Sequence, residues 1–313
     1  MRGIIQQFKR RSRWTRWSTS AAGVILLSAL AAQTAVAPTG RIIVLNSDPG
    51  IAKYAEVQQA FSAAVSRETV TVDVSNTSES ELRRIIGRAD AEVLYCIGAR
   101  AYQSATKATR NKPIVFSSAI NWKRFPARKA THVIDNDLPA ETQLTLFRHF
   151  FPDIKKIGVL YNRTINKQRF AEAEEVGEEL GIEVIGYSVS RPSRVDNGLE
   201  SLAKKVDAFW LIPDPVVLSD EANIRLYFDL AHAARKPVFA YSSAFEALKP
   251  TLILAPDMPT IGRQAAGLVQ DLSSAADVYS PAGSEVILNL GRVREYGLDF
   301  NRDSYDSVNR IIR

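Results

Sequence analysis

The chain has 313 residues, 46% hydrophobic and 24% charged, a globular composition that excludes a disordered, collagenous or coiled-coil protein and leaves room for two packed domains. Its formal net charge of +6 sits in the first 37 residues, where Arg2, Lys9, Arg10, Arg11, Arg13 and Arg16 stand without an acid and leave 34 basic against 34 acidic residues in the remainder. That neutral remainder argues against a basic groove, and no nucleic-acid partner is expected.

The basic stretch ending at Arg16 runs into the apolar segment Ala21 to Ala32 and then into small residues at Ala31, Ala32, Ala35 and Ala37. Residues 1–37 therefore read as a secretory signal peptide. Cleavage after Ala37 leaves Pro38 first, so a cut nearer Ala31 or Ala32 stays open. The alternative is an uncleaved N-terminal anchor, since Trp17 to Thr39 carries no charge. Arg10-Arg11 followed by Ser-Arg-Trp is a weak twin-arginine signal, and the single Cys of the chain, Cys96, lies too far away for lipid attachment. One Cys also forbids an internal disulfide, which suits an exported domain whose core needs no staples. Cys96 reads as a small buried hydrophobe.

From residue 40 onward short β-branched runs alternate with amphipathic ones. Strands are predicted at Arg41 to Asn46, Thr69 to Val74, Ala91 to Ile97, Pro113 to Phe116, Lys156 to Tyr161, Ile182 to Ser188, Val206 to Ile212, Pro237 to Tyr241 and Glu285 to Leu288. Helices are predicted between them at Ala52 to Val65, Glu81 to Gly87, Ala101 to Arg110, Ala140 to Phe150, Lys167 to Leu180, Asp220 to Ala234 and Thr260 to Leu272. Continuous apolar strands alternating with helices specify parallel sheets covered on both faces.

The chain also repeats itself. Lys112-Pro113-Ile114-Val115-Phe116-Ser117-Ser118-Ala119 returns as Lys236-Pro237-Val238-Phe239-Ala240-Tyr241-Ser242-Ser243-Ala244. Ile42 to Asn46 parallels Ile157 to Asn162, and Val93 to Gly98 parallels Ala208 to Pro213. Two successive α/β lobes, each a doubly wound parallel sheet, are the expectation. In such sheets ligands sit beyond the carboxyl ends of the strands, so facing lobes would line a cleft that closes by a hinge.

Gly158-Val159-Leu160-Tyr161-Asn162, Leu180-Gly181-Ile182, Lys205-Val206-Asp207-Ala208 leading to Pro213-Asp214, and Lys236-Pro237-Val238-Phe239-Ala240 together resemble the ABC transporter substrate-binding family related to tryptophan- and tyrosine-binding proteins. Gly262-Arg263-Gln264-Ala265-Ala266 looks like that family's returning helix. Ile287-Leu288-Asn289-Leu290 before Tyr296-Gly297-Leu298 looks like its last strand and C-terminal helix, and Ile97-Gly98-Ala99-Arg100-Ala101 like an earlier strand end.

The resemblance covers roughly residues 40–300 and implies a type I periplasmic binding protein fold. Crossovers would fall around His132 to Asp135, Leu252 to Pro256 and Ser284, giving a first lobe of 38–132 with 256–283 and a second of 133–255 with 284–313. It further implies a periplasmic monomer with a small-molecule, amino-acid-like ligand, an ABC permease as partner and no cofactor. The chain departs from the family at Ile120-Asn121-Trp122-Lys123-Arg124, at Ala130-Thr131-His132-Val133, at Arg163 after Asn162 where Pro is usual, and at Leu248-Lys249-Pro250. These segments border the expected cleft, so the ligand's identity stays open.

The candidate binding residues lie at predicted carboxyl strand ends: Asn46, Ser47, Gly98, Ser117, Ser118, Tyr161, Asn162, Asp214, Tyr241, Ser242 and its neighbour Ser243. Their neutral donors and acceptors suit a small polar ligand, while Ser and Asn equally serve turns and caps. Asp214, between Pro213 and Pro215, either pairs with a ligand ammonium, as the family's matching Asp implies, or caps a helix or loop. Trp122 and Phe125 are candidates for an aromatic lid, and Arg163 for a bidentate grip on a carboxylate or phosphate.

Catalytic patterns are missing. Gly186-Tyr187-Ser188-Val189-Ser190 lacks the second Gly of a nucleophile elbow, there is no P-loop or dinucleotide fingerprint, and His132, His149 and His232 lack metal-ligand spacing. The chain reads as a non-enzyme and metal-free solute receptor. A sensory module presenting its closed state to a membrane receptor, or an exported α/β hydrolase, is the alternative.

Overall fold

Side-chain alternation along the strands places apolar groups on both faces of each sheet. Ile43 and Leu45 enter one core and Ile42 and Val44 another. In the second half, Ala208, Trp210 and Ile212 enter one core, and Phe209 and Leu211 the other. A strand that is apolar at every position must be covered on both sides, which is the doubly wound arrangement.

The computed structural model describes residues 40–313 apart from 89, 127, 129 and 273–276; the leader expected over residues 1–37 lies outside the described residues. The first elements are β1 (Arg41–Asn46), α1 (Ala52–Ala64), β2 (Thr69–Asp73), α2 (Glu79–Ile86), β3 (Ala91–Ile97), α3 (Ala99–Ala108), β4 (Ile114–Ser117) and β5 (Thr131–Ile134). Next come α4 (Ala140–Phe150), β6 (Lys156–Tyr161), α5 (Arg163–Leu180), β7 (Glu183–Ser188), α6 (Val195–Ala203), β8 (Ala208–Trp210), α7 (Glu221–Ala233), β9 (Val238–Ala240) and β10 (Leu252–Pro256). The chain finishes with α8 (Met258–Leu268), β11 (Val278–Tyr279), β12 (Ser284–Asn289), α9 (Leu290–Tyr296) and β13 (Arg310–Ile312).

One sheet has the order β11-β5-β4-β3-β1-β2 and the other β13-β12-β10-β9-β8-β6-β7. Within them β2-β1-β3-β4-β5 and β7-β6-β8-β9-β10 repeat one topology, as the sequence duplication predicts. The strand pairs are parallel except β10 with β12, which is antiparallel.

The chain passes between the lobes after β5, after β10 and after β11. The second passage is fastened by α8, which returns to pack on α1. A Cβ at Gly262 would stand 2.3 Å from the Val57 carbonyl oxygen, so the absent side chain is what allows this close approach.

Local boundaries differ from the sequence reading where short-range bonds intervene. Helix α5 begins at Arg163 rather than Lys167, because the Asn162 side chain accepts the Thr164 N–H at 3.0 Å and caps it. Strand β8 is confined to Ala208–Trp210 instead of Val206 to Ile212. Among the described residues no helix is long and apolar enough to cross a membrane.

Candidate functional site

The loops after β4 and β8, the start of α5 and the crossover after β5 converge on a cavity of about 290 Å³. Ile120 and Trp122 come from the first lobe, Ile165, Asn166, Arg169 and Pro213 from the second, and Asp135, Asn136 and Asp137 from the crossover between them. A second cavity of about 300 Å³ adjoins it and shares Ile120 and Asn136. Its walls are Lys53 and Glu56 of α1, Tyr241, Ser242 and Ser243 after β9, Pro256 and Met258 at the second crossover, and Glu285 and Arg310. Both cavities thus lie between the lobes and beyond carboxyl strand ends, where ligands of open α/β sheets are held.

Helix α5 delivers Arg169 to the first cavity, whose wall also holds Lys123 and Arg124. The first turn of the helix is clamped to the loop after β8, because Asn166 Nδ2 donates to the Pro213 carbonyl at 3.1 Å and to Asp214 Oδ2 at 2.8 Å. Asn166 itself is kinked out of helical geometry. Arg169, in the next turn, forms an ion pair with Asp137 of the crossover. Burial holds its guanidinium below the ordinary arginine range, with Asp135 opposing the shift. Burial also pushes the neighbouring Tyr241 phenol up to about 12, against the Arg169 charge, so Tyr241 stays protonated and able to donate.

The second cavity carries both signs, Lys53 and Arg310 with Glu56 and Glu285. Glu285 is half-buried, and burial raises its carboxyl pKa against Arg310, helped by the like charges of Asp257, Glu56 and Glu246. Arg310 is engaged elsewhere, bound by both nitrogens to the two oxygens of Glu246 at 2.6 and 2.5 Å. Burial likewise lowers the Lys53 ammonium.

Of the sequence-derived candidates, Tyr241, Ser242 and Ser243 line the second cavity. The others are turned into the fold. Asn46 donates to the Tyr54 carbonyl and to Gln58 and accepts the Asp48 N–H. Ser47 Oγ accepts the Ala101 N–H at 2.9 Å. Gly98 holds φ at +84° beside it, and Ser117 bonds Tyr95 and Ser118.

Tyr161 stacks on Phe170 at 4.3 Å, and Asn162 Nδ2 donates to the Val189 carbonyl. Asp214 is 2% exposed, and its two oxygens accept four hydrogen bonds, from Asn162 N, Asn166 Nδ2, Val216 N and Val217 N. Asn46, Ser47, Gly98, Ser117, Ser118, Tyr161, Asn162 and Asp214 line neither cavity.

The expected lid divides. Trp122 lines the first cavity, with its Nε1 buried and without a hydrogen-bond partner. Phe125 is instead buried edge-on against Tyr102 and Phe116, which corrects its reading as a lid residue. Arg163 is exposed and absent from both cavities; Arg169, one and a half turns further along the same helix, takes the place expected of it. Asp135, Asn136, Asp137, Arg169, Glu56 and Glu285 carried no signal of their own, because a polar residue inside a helix, a connection or a strand end reads as solvated until the fold fixes its direction.

Comparison with known proteins agrees with this architecture. The ABC transporter substrate binding protein family matches residues 45–300. A tyrosine-binding protein of Clostridioides difficile (strain R20291) is 22% identical over 235 residues, 70% of this chain and 66% of that protein, so the matched part spans just under two thirds of the relative.

Among solved structures, a ligand-free, open substrate binding protein with adhesive properties from Clostridium difficile superposes with a TM-score of 0.66 at 18% identity, covering 87% of this chain and 99% of the other. A domain from Streptococcus pneumoniae in complex with L-Trp superposes with a TM-score of 0.58 at 16% identity, covering 88% and 100%. At these identities the structural likeness establishes the fold, which is that of a bilobal periplasmic-type binding protein.

Proposed function

This chain belongs to the ABC transporter substrate binding protein family, and from that premise we propose that it is an exported receptor that closes two lobes over a small polar ligand and presents it to an ABC-type permease. The observation that carries the reading is the convergence of polar groups from both lobes and from the crossovers on one cleft, where Arg169 of the second lobe pairs with Asp137 of the crossover. A cleft built from two rigid sheets and joined by three short connections can change its opening without disturbing either core. The leader-like first 37 residues support delivery outside the cytoplasm, and the L-Trp and tyrosine ligands named for the relatives support an amino-acid-like solute. Tyr241 and Ser242, which line the second cavity, are the sequence candidates we assign to contact with it.

The test combines thermal unfolding with small-angle scattering on the purified protein. A solute that binds the native state alone stabilises it by about 2.7 kcal/mol at a hundredfold excess over its Kd. A true ligand is expected to raise the Tm and to lower the radius of gyration together. A tight ligand that leaves the scattering profile unchanged would overturn closure, and solute uptake unaltered by loss of the protein would overturn the transport role.

A further inference from the structure

The two cavities share Ile120 and Asn136 and so are two chambers of one cleft. Their charged groups are arranged differently. In the first, the guanidinium of Arg169 has five N–H donors, and among the described residues its one ion-pair partner is Asp137; the side chain is 28% exposed and lines the chamber beside Lys123 and Arg124. The remaining donors have the fork geometry that takes an oxyanion in two parallel bonds. The Trp122 side chain lines the same chamber, with its Nε1 buried and without a hydrogen-bond partner.

In the second chamber Lys53 and Arg310 stand with Glu56 and Glu285, and the Lys53 ammonium lies over the Tyr54 ring at 5.0 Å without an ion pair to Glu285 among the described residues. Glu285 takes part in no ion pair among the described residues, since Arg310, which lines the same chamber, is committed to Glu246. Glu56 stands in the same wall. A half-buried carboxylate beside other acids is a standing cost to the empty protein, and an arriving cation offsets it.

Resting on the receptor reading above, we infer that the ligand is an elongated zwitterion, with a carboxylate seated on Arg169 in one chamber and an ammonium or guanidinium seated on Glu285 in the other. The charges must lie at opposite ends of the molecule, because the two groups that receive them are in different chambers. A compact solute fills one chamber and satisfies one of them. Asp214 has no part in this recognition, its oxygens being saturated by the fold.

The experiment is a calorimetric and thermal-shift series on the purified protein with 4-aminobutanoate, 6-aminohexanoate, L-ornithine, L-lysine and L-arginine. Hexanoate and hexylamine serve as half-charged controls, and L-alanine, L-tryptophan, L-tyrosine and glucose as compact, aromatic and neutral ones. At least one long zwitterion is expected to bind ten times more tightly than either half-charged analogue. R169Q and E285Q are each expected to weaken it at least tenfold, and E285Q to leave hexanoate binding within twofold of the parent.

Because Arg169→Gln strands the Asp137 carboxylate, the double variant R169Q/D137N is measured beside it; equal weakening in both assigns the loss to the guanidinium. Tight binding of glucose, L-alanine or an aromatic amino acid in preference to every long zwitterion would overturn the inference and leave the receptor reading intact. A long zwitterion whose affinity ignores both single variants would overturn the placement. No binding by any compound in the series counts against both readings.

Discussion

The Asp214 carboxylate accepts the backbone N–H of Asn162 at 2.6 Å, a bond that joins the loop after β8 to the first turn of α5. The same group takes three further hydrogen bonds, so it organises the floor of the cleft from below. Asp214→Ala is expected to lower the free energy of unfolding by about 3 kcal/mol, since it orphans buried N–H groups. Urea denaturation measures this directly. A variant of parental stability that has lost ligand affinity would return Asp214 to the binding surface.

Gly98 ends β3 with φ at +84°, and a Cβ there would stand 2.7 Å from Ser47 Oγ and 2.9 Å from the Tyr54 ring. Both the backbone and the space demand glycine. Gly98→Ala should therefore cost about 2 kcal/mol, the range of a strained backbone position, and should disturb the hydrogen bond from Ala101 N to Ser47 Oγ. A thermal scan showing an unchanged Tm would mean that the loop relaxes freely.

The duplicated halves were legible because β1 with β6, β3 with β8 and β4 with β9 are apolar enough to be buried on both faces, and burial on that scale leaves a readable run of residues. Strands β5 and β11 leave none, because Thr131 and His132 in one and the two-residue length of the other give no apolar run. The site was legible in place but less so in residue. Carboxyl strand ends do border the cleft, yet Asn46, Asn162 and Asp214 stand where the backbone turns most sharply, so their side chains serve unpaired N–H and C=O groups nearby. The groups that face the cleft come from α5, α1 and the crossovers, where side-chain direction depends on helix rotation. Asn166 illustrates this: its non-helical backbone separates the turn that leaves Arg163 in solvent from the turn that brings Arg169 to the cleft.

Cys96 lies in the middle of its sheet at 0% exposure, and burial pushes its thiol far above the ordinary range. A neutral, enclosed thiol is a poor nucleophile. The native protein is expected to leave Cys96 unmodified by DTNB, with full reaction once denaturant is added. Cys96→Ser should cost about 1–3 kcal/mol, the price of a buried hydroxyl without a partner. Rapid modification of the native protein would place the thiol near solvent.

His132 ties β5 to the last passage between the lobes. It is 1% exposed, its Nδ1 stands 3.4 Å from the Tyr279 hydroxyl on β11, and burial lowers its pKa from 6.5, with the Asp277 carboxylate opposing. In the unfolded chain the imidazole takes its proton near pH 6.5; in the folded protein it does so only at lower pH. Between those values the unfolded state binds more protons, so this contribution to stability is present in full above pH 6.5 and is lost as the pH falls toward the folded pKa. His132→Gln is expected to flatten that segment of the stability profile, measured by urea titration at closely spaced pH. A parental profile that is already flat below pH 6.5, or one that rises there, would show that Asp277 outweighs burial and that the β5–β11 pair is indifferent to protonation.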